Sequence, residues 1–408
     1  MVISPLDRFW PVVLSLVTGC LLIGALSGVA TAQSIRVLLS AEVQRLDVRA
    51  EGLIWMTDSK DRGQAIKSAA LITANGNGFL VNGVRLATEQ LTLRAGEQGL
   101  TLTYRKQTGN GQGVGGLGND PGTMVPVSGL IHLVRKAKGF LLINQVDLEE
   151  YVKGVVPAEV NSTWHPEMLK SQAVAARTYA LYQQMLSATR EYDVVATVQD
   201  QVYRGKHGID ASVQQAVEAT RGLVITYQNA PIYAAFSSTA AGLTEDAMNV
   251  WSKDLPYLKG VECPFDLDSP FYQWKASFKL DTLEQNLRQQ GFPVGAIATL
   301  TPVTFSRAGR VATIRILHSE GELVLRGEDL RKAIGYSLVP STQFTVDSIG
   351  SDIILSGYGA GHAVGMCQWG AKQLAELGYS YSTILNYYYP GTELQNMALT
   401  KPPTPPSS

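Results

Sequence analysis

Glu159 is the acidic residue in this sequence whose setting best suits proton transfer. It closes the stretch Leu148-Glu149-Glu150-Tyr151-Val152-Lys153-Gly154-Val155-Val156-Pro157-Ala158-Glu159, after the apolar pair Val155-Val156 and before a helix that opens at Pro166. That is an element end, where reactive side chains are often displayed. Partly apolar surroundings raise the pKa of a carboxylic acid, because burial disfavours its charged form. An acid raised in this way can protonate a leaving oxygen near neutral pH, the acid's task in glycosidic cleavage. The same position also suits a glutamate that only complements the dipole of a helix start.

Two further stretches carry polar groups that packing does not require. In Lys170-Ser171-Gln172-Ala173-Val174-Ala175-Ala176-Arg177-Thr178-Tyr179-Ala180, one charge sits inside an alanine-rich helix. Arg177 either snorkels to water or pairs with a carboxylate or an anionic substrate. In Gly357-Tyr358-Gly359-Ala360-Gly361-His362-Ala363-Val364-Gly365-Met366-Cys367-Gln368-Trp369-Gly370-Ala371, the glycines superficially evoke a phosphate loop, but no Gly-Lys-Ser/Thr follows. Glycines that let backbone approach closely suit an extended polymer lying across the turn, with His362 beside it. A tight turn with a structural imidazole fits as well. No Gly-x-Ser-x-Gly elbow marks a nucleophilic serine, and Ser237-Ser238-Thr239 alone is no substitute. The five histidines show no zinc-ligand spacing with one another or with cysteine, so neither a metal nor any other cofactor is expected.

The whole chain narrows these chemistries. Hydrophobic residues make up 45% and charged residues 17% of the 408, the balance of a folded chain. With 34 basic and 35 acidic residues the net charge is −1, which argues against nucleic-acid binding. Arg8, an apolar run from Phe9 to Ala30 and the triplet Ala30-Thr31-Ala32 form a signal-peptide pattern. Val17-Thr18-Gly19-Cys20 offers a lipoprotein alternative, and retention of the run as a membrane anchor is a third. All three place the folded part outside the cytoplasm, in the periplasm or cell envelope. Removal of the leader leaves Cys263 and Cys367, either as two buried thiols or as one bridge.

The elements that must position these residues follow from periodicity. Short β-like runs occupy Ser34 to Tyr104, with hairpin signals at Asn75-Gly76-Asn77-Gly78 and Asn82-Gly83. A segment dominated by Gly, Asn and Gln runs from Lys106 to Gly122 and reads as a linker. Strands resume at Val125 to Val134 and Gly139 to Val146. The first strong helix runs from Pro166 to about Met185, with Leu169, Ala173, Ala176 and Ala180 as a narrow packing stripe. Further helices are expected at Ser212 to Thr220, Leu280 to Gln290, Glu328 to Ile334, Gln368 to Leu377 and Tyr381 to Tyr388, with a hairpin turning at Ala308-Gly309. The Pro/Ser-rich tail from Lys401 is expected to be disordered.

In order, these blocks resemble the SpoIID/LytB family across roughly Val125 to Thr392. The resemblance rests on Leu148-Glu149-Glu150-Tyr151, Gly154-Val155-Val156-Pro157-Ala158-Glu159, Gln172-Ala173-Val174-Ala175-Ala176-Arg177-Thr178-Tyr179-Ala180 and Gln201-Val202-Tyr203-Arg204-Gly205. It continues through Thr220-Arg221-Gly222, Ser238-Thr239, Gly242, Thr244-Glu245 and Val250-Trp251. It closes on Gly361-His362-Ala363-Val364-Gly365-Met366, Gln368-Trp369-Gly370-Ala371 and Tyr387-Tyr388-Tyr389-Pro390-Gly391-Thr392.

The resemblance implies a lytic transglycosylase acting on peptidoglycan glycan strands. One carboxylic acid protonates the glycosidic oxygen and then, as carboxylate, takes the proton from the sugar's own 6-hydroxyl as an anhydro ring closes. A single acid/base suffices because the nucleophile belongs to the substrate. The family's catalytic glutamate falls on Glu159, and Arg177, Tyr203, His362 and Gln368 stand as substrate-contact candidates. Where some family members carry a zinc-associated His and Cys, this chain has Ser237 and Ala240, so zinc is not expected; the usual Gly-Gly is Ala241-Gly242, and Gly-His-Gly is Gly361-His362-Ala363.

The expected architecture is α+β, with mixed, mainly antiparallel sheets and packed helices in a SpoIID-like domain over residues 125–395. It is preceded by a leader over 1–32, a small β-rich region over 33–105 and a linker over 106–124, and followed by a tail over 396–408. The β-rich region lies outside the resemblance and suits wall binding or positioning. The partners implied are peptidoglycan strands and a cell-wall amidase, with the membrane touched only through the leader. A non-catalytic, wall-binding enhancer of an N-acetylmuramoyl-L-alanine amidase is the rival reading, and a purely structural envelope protein the third.

Overall fold

One strand organises the amino-terminal half. The computed structural model describes residues 33–106 and 124–399. The expected leader, most of the Gly-rich segment and residues 400–408 lie outside them. In Ser34–Arg49, Ile35, Val37, Leu46 and Val48 face the core at the two-residue period of a strand. Its first half pairs with Phe140–Asp147 (Ile35 opposite Val146), its second with Ala69–Asn75 and Leu100–Lys106 (Leu46 opposite Ile72 and Tyr104). Register shifts between Leu38 and Val43, with Glu42 at φ 55°, form a bulge that turns the strand from one set of neighbours to the next.

Leu100–Lys106 also pairs with Val125–Val127, Leu100 opposite Val127. Strands on both sides of the Gly-rich segment therefore belong to one twelve-stranded sheet and share one core. The sequence places a boundary at residues 106–124, and the sheet runs across it. Composition reports the loss of a local pattern there, whereas strand pairing is decided by residues far apart.

The strand Phe140–Asp147 leads without a loop into helix α1, Leu148–Glu159, whose start is fixed by Asp147 accepting from the backbone N–H of Glu149 and Glu150 at 2.9 and 3.2 Å. This helix precedes the one expected to be first. Proline interrupts a helix interior, but Pro157 falls in the last turn and the helix ends two residues later. α2, Pro166–Leu186, is buried on nearly every side, including Leu169, Ala173, Ala176 and Ala180, so the expected stripe is a whole buried helix. α3, Ala211–Ala219, packs on α2, followed by the strand Leu223–Tyr227 and the short α4, Ala247–Trp251.

Residues 273–358 build a second core. The strands Gln273–Lys279, Phe344–Ile349 and Asp352–Tyr358 form one antiparallel sheet, and Ile297–Phe305, Val311–His318 and Gly321–Arg326 form another. With α5, Leu280–Gln289, and α6, Gly327–Ile334, they enclose Leu287, Ile314, Ile316, Leu330 and Ile353, separate from the main core. The chain then returns to the main core as α7, Gln368–Glu376, and α8, Tyr381–Tyr388. Glu393–Asn396 pairs with Leu223–Tyr227 and Met397–Leu399 forms a 3-10 turn, so order extends past the tail boundary expected at 396. Helices and mainly antiparallel sheets together make the fold α+β. Among the described residues no helix is long and apolar enough to cross a membrane.

Candidate active site

Glu159 is the last residue of α1, at the end where the helix dipole is negative and does nothing to favour a carboxylate. Its Oε1 accepts the backbone N–H of Val202 at 2.6 Å. Burial pushes the carboxyl up to about 7, and the Val202 N–H, the Gln368 side chain and the nearby charge of Arg204 only partly pull it back. The residue nevertheless keeps a partly exposed face toward a cleft of about 540 Å³. An acid with that pKa is both protonated and ionised in quantity at neutral pH, the condition for donating a proton and then recovering one.

The loop that supplies the Val202 N–H is tied to α1 from below. The Tyr151 hydroxyl donates to Gln201 Oε1 at 3.0 Å, and the Tyr151 and Tyr203 rings lie 5.1 Å apart. Gly154 is required on this face of the helix. A Cβ there would stand 2.4 Å from the Gly205 carbonyl oxygen and 2.6 Å from the Tyr203 ring.

The cleft gathers segments far apart in the chain: the end of α1 through Asn161, Trp164, Val198 and Asp200, Phe236 to Ser238, Gly361 and His362, and Gln368 with Trp369 at the start of α7. Trp164 and Trp369 meet edge to face at 5.1 Å, giving the cleft an apolar flank suited to the C–H faces of sugar rings. Gln368 donates to Gln172 Oε1 at 3.3 Å, so α2 backs the wall without lining it.

His362 lines the cleft with its Nδ1 accepting from the Val364 N–H at 3.0 Å. That acceptance places the ring proton on Nε2. Burial, together with the charges of Arg331 and Arg310, pushes His362 down to about 3, so the ring is neutral at physiological pH and has no acid to give.

Of the residues singled out in the sequence, Glu159, His362 and Gln368 meet at the cleft, and Arg177 and Tyr203 do not. Arg177 is fully buried and grips Glu149 with both arms, Nε to Oε1 at 2.8 Å and Nη2 to Oε2 at 2.7 Å, while Nη1 donates to the Leu223 carbonyl at 3.1 Å. It pairs with a carboxylate of its own chain and not with a substrate. The Tyr203 hydroxyl donates to Asn144 Oδ1 at 2.9 Å inside the core. Its part is to hold the loop that carries Val202.

Trp164 and Asp200 were missed, having no motif around them that marks chemistry. Asp200 is a second carboxylate on the cleft, but its oxygens are engaged: Oδ1 accepts from the Tyr179 hydroxyl at 2.7 Å and Gln183 Nε2 at 3.3 Å, and Oδ2 from the Val195 N–H at 2.8 Å.

The departures from the family pattern are absorbed locally. Ser237 Oγ accepts the Ala363 N–H at 3.0 Å, and Ala363 holds a left-handed φ of 61° where glycine is usual; Ala241 does the same at 54°. Ser237 is thus spent on the turn and Ala240 offers only a methyl group, so these two positions do not fit a zinc ion.

A family model described as stage II sporulation protein matches residues 136–227, and one described only as a domain of unknown function matches residues 247–365, a span that contains the second core. An uncharacterized protein of Brachyspira hyodysenteriae is 36% identical over 255 residues, 62% of this chain and 68% of that one. Stage II sporulation protein D of Bacillus subtilis is 33% identical over 267 residues, covering 62% of this chain and 75% of its own. The amidase enhancer of Bacillus subtilis is 33% identical over 288 residues, 60% of this chain and 40% of its own length.

Proposed function

The chain belongs to the SpoIID/LytB family, and from that premise we propose that it is a murein lytic transglycosylase that cleaves peptidoglycan glycan strands with Glu159 as its single acid/base. A cell-wall-related role comes with the family; the reaction and its residues are our reading. The observation that carries it is the Glu159 carboxyl: set at the cleft, held by one backbone N–H and raised by burial to about 7.

In this reading the strand lies along the cleft against Trp164 and Trp369. Protonated Glu159 donates to the glycosidic oxygen as the bond from that oxygen to the sugar's anomeric carbon breaks. The resulting carboxylate takes the proton of the same sugar's 6-hydroxyl, whose oxygen bonds to the anomeric carbon and closes the anhydro ring. The proton count balances and no water is consumed. Asp200 already accepts three hydrogen bonds, which weakens it as a base toward water and favours ring closure over hydrolysis. Neutral His362 and Gln368, which line the same cleft, orient the strand.

The chain works outside the cytoplasm, in the periplasm or envelope, as its leader pattern implies. The relative named an amidase enhancer supports a second reading, in which this chain binds the wall and assists a separate amidase. Incubating the purified chain with intact peptidoglycan and with glycan stripped of its peptides separates the outcomes by mass spectrometry. Anhydro-terminated fragments are expected. Reducing ends would assign hydrolysis, and uncut strands together with faster release of peptides by an added amidase would assign the enhancer.

A further inference from the structure

Behind the cleft wall, Cys263, Asp266 and Cys367 come together from segments about a hundred residues apart. Cys263 ends the short strand Glu262–Cys263, Asp266 lies in the turn after it, and Cys367 caps the amino end of α7, beside the cleft residues Gln368 and Trp369. All three are buried, and one potential ligand atom from each lies within 4.8 Å of the others. Among the described residues this is the one such group.

Three details point past ordinary packing. Asp266 is fully buried; its Oδ2 accepts from the Ala241 N–H at 2.8 Å and from the Cys367 thiol at 3.2 Å, yet Oδ1 has no partner. The backbone N–H groups of Ala240 and Gly370 both point at Cys367 Sγ, at 3.3 and 3.4 Å. These two donors keep the sulfur hydrogen-bonded when a cation takes the place of its thiol proton. Gly370 also keeps the space open: a Cβ there would sit 2.5 Å from Cys263 Sγ and 3.5 Å from Cys367 Sγ.

We propose that Cys263, Cys367 and Asp266 bind one divalent, thiophilic cation of the zinc class, in a structural site that borders the Ala240 turn but takes no ligand from Ser237 or Ala240. Two thiolates and a carboxylate fill three of the four positions such a cation takes, and water fills the fourth. Binding releases the two thiol protons to solvent. The charges compensate: buried Arg310, whose Nη2 donates to the Ala240 carbonyl at 2.6 Å, lies within electrostatic reach of Asp266 and Cys367. Its guanidinium and the cation together match two thiolates and one carboxylate. The bound ion ties the start of α7 to the Glu262–Cys263 strand and to the turn at Ala240 and Ala241, and so fixes the wall that presents Ser238 and Gln368.

The test uses the full chain, purified reduced and without chelator. Zinc content is measured by plasma mass spectrometry, and cobalt(II) is then substituted for it. One metal per chain and a thiolate-to-cobalt charge-transfer band are expected, with at least tenfold weaker metal binding in Cys263→Ser and in Cys367→Ser and unchanged binding in Cys20→Ser. Reduced wild-type chain that takes up no metal and gives no band overturns the site, as does binding by both serine variants as tight as that of the wild type. A Cys263–Cys367 disulfide that forms in metal-supplied protein, with no metal bound, assigns the pair to a bridge instead. Should the serine variants not fold, the band of the unaltered chain decides.

Discussion

The two ends of helix α1 carry the same side chain under opposite conditions. At the amino end Glu149 is buried and held by the fork of Arg177, with the Gly222 N–H donating to the same carboxylate at 3.2 Å. At the carboxyl end, ten positions on, Glu159 has no cation bound to it, the unfavourable pole of the dipole, and an opening to the cleft. The first carboxylate is gripped by a buried guanidinium and serves the fold. The second is held close to the balance between its two protonation states, which suits chemistry and does not help stability. What separates them is the partner each meets, from Arg177 on α2 in one case and from Val202 and Gln368 in the other.

Breaking the amino-end pair has the largest expected effect. Arg177→Met leaves Glu149 buried without a counter-charge, and a loss of about 3–5 kcal/mol is expected in urea unfolding. A loss under about 1 kcal/mol would mean that the pair is not what secures α1 to α2.

The carboxyl end should behave in the opposite sense. Folding holds the Glu159 proton more tightly than the unfolded chain does, so the contribution of this group to stability falls as pH rises from 4.5, its ordinary value, through about 7. The full loss is on the order of 3 kcal/mol. Glu159→Gln should therefore leave stability near pH 4.5 almost unchanged and raise it at pH 8, flattening the difference. Equal pH profiles for the two proteins would show that Glu159 is not raised.

A smaller effect is expected between the two ends. Gly154→Ala drives a methyl group into Tyr203 and the Gly205 carbonyl and should lower stability by about 1–3 kcal/mol. Because the same loop carries the Val202 N–H, the alkaline limb of any activity profile should shift as well. The smallest change is at the turn beside His362. Ala363→Gly relieves a left-handed alanine and should add about 1 kcal/mol by thermal unfolding, with the cleft unaltered.

Much of the chain from Pro166 onward was legible because its signals are local. Pro166 opening α2, the turn at Ala308-Gly309 and the helices at 368 and 381 all announce themselves within a few residues. α1 was not legible, since Gly154 and Pro157 look like breakers until Asp147 is seen to cap the helix and the Tyr203 ring to need the glycine. The site divides in the same way. Glu159, His362 and Gln368 sit in motifs that reach the cleft together, while the burial of Arg177 and Tyr203 depends on Glu149 and Asn144, partners no spacing reveals. The sheet that crosses the Gly-rich segment and the meeting of Cys263 with Cys367 are further contacts of this long-range kind.

Cleavage by this chain turns on one proton, that of Glu159, and the most direct measurement follows it. Wild type and Glu159→Gln are incubated with peptide-free glycan strands across pH 5 to 9, and anhydro ends are counted by mass spectrometry. Wild type is expected to form them at a rate that falls as pH rises through about 7, and the variant to be slower by about 10²–10⁴-fold while remaining folded. Anhydro ends released by the variant at the wild-type rate would contradict the assignment of Glu159.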